Sequence, residues 1–139
     1  MKLPQRVLVT GAAGFIGSTL VERLLAEGRE VVGLDNFDPF YPEAHKQRNL
    51  AAALAHEHFR LVRGNIRDAE LVAELFRDGG FDGVVHLAAL AGVRPSLERP
   101  TLYADVNVRG SSVVFEAAAR FGRPRVVFAS SSSVYGERE

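Results

Sequence analysis

Four short runs, Val7–Val9, Val31–Val32, Val84–Val85 and Val126–Phe128, are apolar at consecutive positions instead of alternating with polar residues. A strand with one solvated face alternates, so continuous runs mark strands covered on both faces. Longer stretches between them carry apolar residues at helical spacing. Ile16, Leu20, Leu24 and Leu25 recur that way within Phe15–Ala26, and Gly28 just beyond suits a helix stop. The pattern predicts strands at Arg6–Thr10, Glu30–Leu34, His58–Arg63 and Phe81–Leu87, with a fifth inside Pro124–Ser130. It predicts further helices around Glu43–Ala55, from a cap at Asp68 to about Arg77, and as one long helix over Thr101–Phe121. Strands alternating with helices build βαβ units. Right-handed crossovers then give an α/β, doubly wound parallel sheet of about five strands in the order 3-2-1-4-5. No internal repeat or linker divides the chain, so 1–139 reads as one domain.

The first βαβ unit carries the most informative segment, Thr10-Gly11-Ala12-Ala13-Gly14-Phe15-Ile16-Gly17, between a strand and a helix. Gly11 allows the tight turn, Gly14 lets the backbone approach a pyrophosphate, and Gly17 lets the helix pack closely on the strand. The unbonded N–H groups at the helix start face the phosphates. A glycine-rich turn is also an ordinary way into a helix. Three glycines at three-residue spacing, in this context, point to dinucleotide binding in a Rossmann fold. Asp35 ends the second strand, where a ribose-binding acid belongs. A carboxylate there accepts hydrogen bonds from the adenosine ribose and repels the 2′-phosphate of NADP. Such a bond contributes about 1.5–3 kcal/mol, or roughly 10- to 100-fold in affinity, which favours NAD. Asn36 is placed to share the ribose contact. The competing reading makes Asp35 only the residue that opens the loop 35–42.

Charge and composition exclude several classes. Lys plus Arg (17) equals Asp plus Glu (17), so no net field draws the chain to nucleic acid or an anionic membrane. There is no cysteine for a disulfide or a thiolate metal site. The histidines are scattered, and His56-x-His58 reads as a solvated helix end, not a ligand set. No apolar run approaches the roughly 20 residues that span a bilayer. Met1–Arg6 leads straight into a strand without the features of a secretion signal. A soluble, cytoplasmic protein with no nucleic-acid or membrane partner is expected.

The spacing GxxGxxG resembles the short-chain dehydrogenase/reductase superfamily, and later segments resemble its extended branch of sugar-nucleotide epimerases and dehydratases. Gly64-Asn65-Ile66-Arg67-Asp68 is similar to that branch's G-D-I-R-D element, and His86-Leu87-Ala88-Ala89 to its H-x-A-A segment. Asn107, in Asp105-Val106-Asn107-Val108-Arg109-Gly110, matches an Asn that steadies the active-site helix; on its own it would be an ordinary helical Asn. Ala129-Ser130-Ser131-Ser132-Ser133-Val134-Tyr135-Gly136 resembles the serine-rich strand end that supplies a catalytic hydroxyl. The resemblance implies an NAD site formed by Gly11, Ala13, Gly14, Phe15, Ile16 and Gly17 of the loop, Asp35 and Asn36 at the ribose, and Asn65 and Ile66 at the adenine. Leu87, Ala88, Ala89, Asn107 and Ser130 complete it. Asn65 replaces the usual Asp, and its amide oxygen would reach the adenine amino group. Ser131 is the implied catalytic hydroxyl, with Ser130, Ser132 and Ser133 as neighbours in register. Asn36–Tyr41 and Ala91–Ser96 look most like UDP-glucuronate 4-epimerases. Arg94 there is either a contact for a substrate phosphate or carboxylate or a solvated loop residue.

In the family, NAD takes a hydride from a sugar carbon and returns it to the opposite face. A Tyr acts as base, its pKa lowered by a Lys four residues on. The positions four after Tyr41, Tyr103 and Tyr135 hold His45, Asn107 and Glu139, so that pair lies beyond Glu139. The resemblance thus implies the NAD-binding portion of a UDP-sugar epimerase, whose substrate domain and Tyr-x-x-x-Lys helix come from later segments. The chain by itself would bind NAD without turnover. Lacking that helix, it would expose apolar surface and an open edge strand and self-associate, with the 101–121 helix as the contact. Alternatives are a non-catalytic nucleotide-binding module, or a dehydratase or decarboxylase fragment. Dehydratases place Asp-Glu after the catalytic hydroxyl; Ser132-Ser133 here favours epimerase chemistry.

Overall fold

A computed structural model describes residues 3–137; Glu139 lies outside the described residues. Five parallel strands, β1 (Arg6–Thr10), β2 (Glu30–Asp35), β3 (Phe59–Arg63), β4 (Gly83–His86) and β5 (Arg125–Phe128), form one sheet ordered β3-β2-β1-β4-β5. This is the order expected from right-handed crossovers. Leu8, Val32 and Leu34 pack on one face beneath Val72, Leu75 and Phe76 of α3 (Ala69–Gly79) and Val114 of α6 (Ser111–Arg120). Val7, Val9 and Val31 pack on the other against Val21 and Leu25 of α1 (Phe15–Ala26), with Ala53 of α2 (Glu43–Leu54) beside them. Each such side chain contributes roughly 1.5–3 kcal/mol of burial, which is why the runs are apolar throughout.

α3 begins where expected: the Asp68 carboxylate accepts a hydrogen bond from Leu71 N at 3.1 Å. It ends at Gly80, whose φ of +57° closes the helix in the left-handed region. β4 is shorter than the predicted Phe81–Leu87. Phe81 turns into the core edge-to-face with Phe76, and the Asp82 carboxylate accepts from Gln5 N and Arg6 N.

Two departures bear on the site. The predicted Thr101–Phe121 helix is α5 (Pro100–Ala104), a π-helical turn over Asp105–Gly110, and α6. A short α4 (Val93–Glu98), absent from the sequence pattern, precedes it. Second, the run Val126–Phe128 is not covered on both faces. β5 is the sheet edge, with Val126, Val127 and Phe128 38%, 62% and 48% exposed. That agrees with the open edge expected above, not with the expectation of a doubly buried strand.

Candidate functional site

The site forms at the carboxyl ends of the strands, where the loop after β1 meets those after β2, β3 and β4. Gly11 N donates to Leu34 O at 2.8 Å, holding the turn against β2. Gly11 has φ +71°, and a Cβ there would sit 2.9 Å from Ala88 N. Only glycine lets the two loops approach this closely. A Cβ on Gly17 would collide with the Gly11 carbonyl oxygen, so α1 is seated on the loop itself. Gly14 caps α1 without a side-chain bond, and no acid occupies the helix's first turn. The free amides and positive end of a twelve-residue helix therefore open beside Gly11 and Gly14, both of which line the cavity.

Asp35 closes the next wall. Its carboxylate, 6% exposed, accepts from Ala13 N (Oδ2, 3.0 Å), Phe37 N (Oδ1, 2.8 Å) and Lys46 Nζ (Oδ1, 3.2 Å). The first bond locks the acid to the glycine loop. The second holds Phe37 at φ +55°, a conformation rare for a bulky residue. The Arg63 guanidinium packs 4.1 Å from the Phe37 ring centre. Lys46, on α2, is 8% exposed and lines the cavity. Sequence reasoning missed it, although Lys46, Leu50 and Ala53 form the buried stripe of α2 at helical spacing. A charged residue within an inward stripe was the available signal.

The opposite wall is tied to the π-helical turn. Asn65 Oδ1 accepts from both Arg67 N (3.0 Å) and Arg67 Nε (3.2 Å), so the oxygen meant for adenine is already engaged by Arg67. Arg67 also pairs with Asp105 at 2.6 Å, and Arg109 reaches the same carboxylate. The Arg67 hydrogen bond, aided by Arg109, holds the Asp105 carboxyl below its ordinary pKa. Asn107 clips the β4 loop with two bonds: its amide donates to Leu90 O at 2.9 Å and its oxygen accepts from Leu90 N at 2.8 Å. π turns recur at functional sites, and this one carries Asp105 and Asn107 to the loops after β3 and β4.

His86, 1% exposed, lies beneath that wall. Ser111 Oγ donates to Asn107 O at 2.7 Å, so toward His86 Nε2, 2.9 Å away, it must accept. Nε2 therefore carries the proton, and Nδ1 accepts from Thr10 Oγ1 at 2.6 Å. Thr10 Oγ1 in turn accepts from Leu87 N and Ala88 N at 3.2 and 3.1 Å. Burial pushes the His86 pKa down to about 4, so the ring is neutral at pH 7. One continuous chain of bonds thus fixes Ala88 opposite Gly11.

Of the residues expected at the site, Gly11, Gly14, Asp35, Asn36, Asn65, Ile66, Leu87, Ala88 and Ala89 line the cavity. Phe15 and Ile16 are exposed at the helix start, and Gly17 packs beneath it. Ala13 is buried, with its N–H bonded to Asp35 and its carbonyl accepting from Asn49 Nδ2, so it braces the loop without facing the cavity. Asn107 acts through Leu90. Ser130 and Ser131 follow β5 outside the cavity; Ser131 Oγ is engaged with Ser133 Oγ at 3.1 Å and Ser133 N at 3.2 Å. Arg94 is exposed on α4. Among the described residues no group of three His, Cys, Asp or Glu could hold a metal, and no helix is long and apolar enough to cross a membrane.

Known proteins share this fold. Residues 7–139 match the family model for the NAD dependent epimerase/dehydratase family. The chain is 45% identical over 134 residues to UDP-glucuronate 4-epimerase 1 of Arabidopsis thaliana, across 96% of this chain and 31% of that protein. It superposes with a TM-score of 0.83 and 33% identity on the UDP-glucose-4-epimerase of Stenotrophomonas maltophila solved with NAD and formylated UDP-arabinopyranose, covering 97% of this chain and 39% of that one. The dTDP-glucose 4,6-dehydratase of Streptomyces venezuelae, solved with NAD and TYD, gives 0.85 and 38%, covering 96% and 42%. The chain spans less than half the length of each.

Proposed function

We propose, from the premise that this chain belongs to the NAD dependent epimerase/dehydratase family, that 1–139 is the NAD-binding domain of a UDP-sugar 4-epimerase. The observation that carries this reading is the uncapped, acid-free start of α1 opening on the same cavity as Asp35. An anionic pyrophosphate suits that helix end. Gly11 lies so close to Ala88 that a Cβ would meet the Ala88 backbone nitrogen at 2.9 Å, which keeps the loops after β1 and β4 together at one wall of the cavity. In this reading Asp35 receives the adenosine ribose, with Asn36 at its rim. Ile66 packs on the adenine and Asn65, its oxygen held by Arg67, meets it through its amide N–H groups, while the small residues Ala88 and Ala89 let the cofactor pass.

Bound NAD would supply the hydride acceptor and donor for transient oxidation of a sugar carbon. The chain's own contribution would be binding and orientation, together with the Ser131 hydroxyl at the end of β5. Ser132-Ser133 and the 45% identity to a UDP-glucuronate 4-epimerase support epimerisation over dehydration. No Tyr of this chain has a Lys four positions on, which supports binding without turnover by these residues alone. The nucleotide-sugar would be the partner of the longer enzyme, as in its relatives, and self-association would bury the exposed β5 face.

Calorimetric titration tests the reading. NAD is expected to bind more tightly than NADP, and Asp35→Ala to weaken NAD roughly 10- to 100-fold and narrow the difference. Equal affinities of the unaltered chain for both cofactors would remove the role given to Asp35; binding of neither would remove the reading as a whole.

A further inference from the structure

We infer that Lys46 is a second reader of the adenosine ribose and that its pairing with Asp35 sets how strictly the site rejects a 2′-phosphate; this rests on the NAD reading above. An ionised carboxylate offers about four acceptor positions. Asp35 has committed three: two on Oδ1, to Phe37 N and Lys46 Nζ, and one on Oδ2, to Ala13 N. A ribose presents two vicinal hydroxyls, and the acid alone has one acceptor position left for them. The second hydroxyl needs a donor instead. Lys46 Nζ carries three N–H donors, and among the described residues Asp35 is its one hydrogen-bond partner, with the Phe37 ring 5.8 Å away. Nine-tenths buried and lining the cavity beside Asp35, its remaining donors are available to a ligand oxygen. Asn36, the other candidate, has its side-chain oxygen bound to Asp38 N and stands exposed at the rim.

Charge makes the consequence specific. An unpaired Asp35 would meet a 2′-phosphate with a full negative charge. Here the ammonium at 3.2 Å brings the local sum to zero, so rejection of NADP is softened. Arg63 does not supply this compensation: its guanidinium pairs with Glu43 at 2.8 Å and stacks on Phe37.

The test is calorimetry of the chain with NAD and with NADP for four proteins: unaltered, Lys46→Met, Asp35→Asn, and the double variant. Lys46→Met keeps the apolar stem and removes the charge. It is expected to weaken NAD about tenfold and NADP further, widening the preference for NAD by about tenfold. Asp35→Asn, which leaves the ammonium unopposed, is expected to turn the preference toward NADP. The double variant, neutral at both positions and so free of a buried unpaired charge, is expected to return the NAD:NADP ratio to near that of the unaltered chain. Circular dichroism confirms folding, and the double variant keeps the test decisive if either single variant unfolds. An unchanged ratio in folded Lys46→Met, or a double variant whose ratio departs strongly from the unaltered one, overturns the inference while NAD binding stands. An unaltered chain that binds neither cofactor overturns the NAD reading and this inference with it.

Discussion

The two halves of the sheet are written in the same kind of sequence and end in opposite surroundings. Val31, Val32 and Leu34 of β2 have a strand on either side and packed side chains on both faces. Val126, Val127 and Phe128 of β5 have one neighbouring strand and are exposed. A continuous apolar run states a demand for two covered faces; packing partners decide whether it is met. The expected roles divide along the same line. On the β2 side Asp35, Ala13, Phe37 and Lys46 already hold one another in place, so a ligand meets a formed wall. On the β5 side, among the described residues, Ser131 bonds only within its own turn, where its neighbours are exposed. The half of the cavity expected to bind is organised, and the residue expected to serve catalysis lies outside it.

The largest expected effect breaks this comparison if it fails. Leu34→Ala, in the buried half, should cost about 2–5 kcal/mol of unfolding free energy in urea titration. Val127→Ala, at the open edge, should stay within about 0.5 kcal/mol. Similar losses at both positions would mean that β5 is covered in solution. Between the halves stands His86, which stacks on Phe128 and bonds Thr10. Its folded pKa, about 4, lies below the ordinary 6.5. The unfolded chain therefore takes up the proton first as pH falls. Stability should be full above pH 6.5, decline between about 6.5 and 4, and level off below, with a total loss of about 3 kcal/mol from this group. His86→Asn should flatten that decline; an equally steep profile in the variant would assign the acid sensitivity elsewhere.

Much of the fold was legible because burial demands are local. The apolar runs located β1, β2, β4 and β5, the alternation of strands with helices placed β3, whose sequence FRLVR none of those runs covers, and the crossover rule ordered them. The ends of β4 were not legible, because Phe81 and Asp82 are consumed by partners distant in sequence, Phe76 in the core and the amides of Gln5 and Arg6. The π turn was hidden for a related reason. One added residue in a helical turn barely disturbs a 3.6-residue pattern, and it shows only through what Asp105 and Asn107 reach. At the site, the glycine spacing and Asp35 were readable from their positions between strand and helix. The partners that define their chemistry were not. Nothing near Asn65 in the pattern says that Arg67 holds its oxygen twice, and nothing near His86 names Thr10 or Ser111. Lys46 was readable in principle, as a cation inside an apolar helical stripe.

The smallest change in stability should accompany a visible change in assembly. An edge strand with exposed valines is a template for pairing, and a lysine placed there is a common way of blocking it. The chain is expected to self-associate with rising concentration in sedimentation velocity. Val127→Lys should shift it toward monomer while moving the unfolding midpoint little, because Val127 is already 62% exposed. The segment from α5 through the π-helical turn to α6 offers the competing surface, and Val108→Lys, at an exposed apolar position of that turn, probes it in the same way. Dissociation by Val127→Lys alone places the contact on β5. Dissociation by Val108→Lys alone places it on the π-helical turn, and the exposed strand then needs no partner at these concentrations. A monodisperse monomer before any substitution would show that an uncovered apolar run at a sheet edge is tolerated here, and the contrast between β2 and β5 would then be one of stability only.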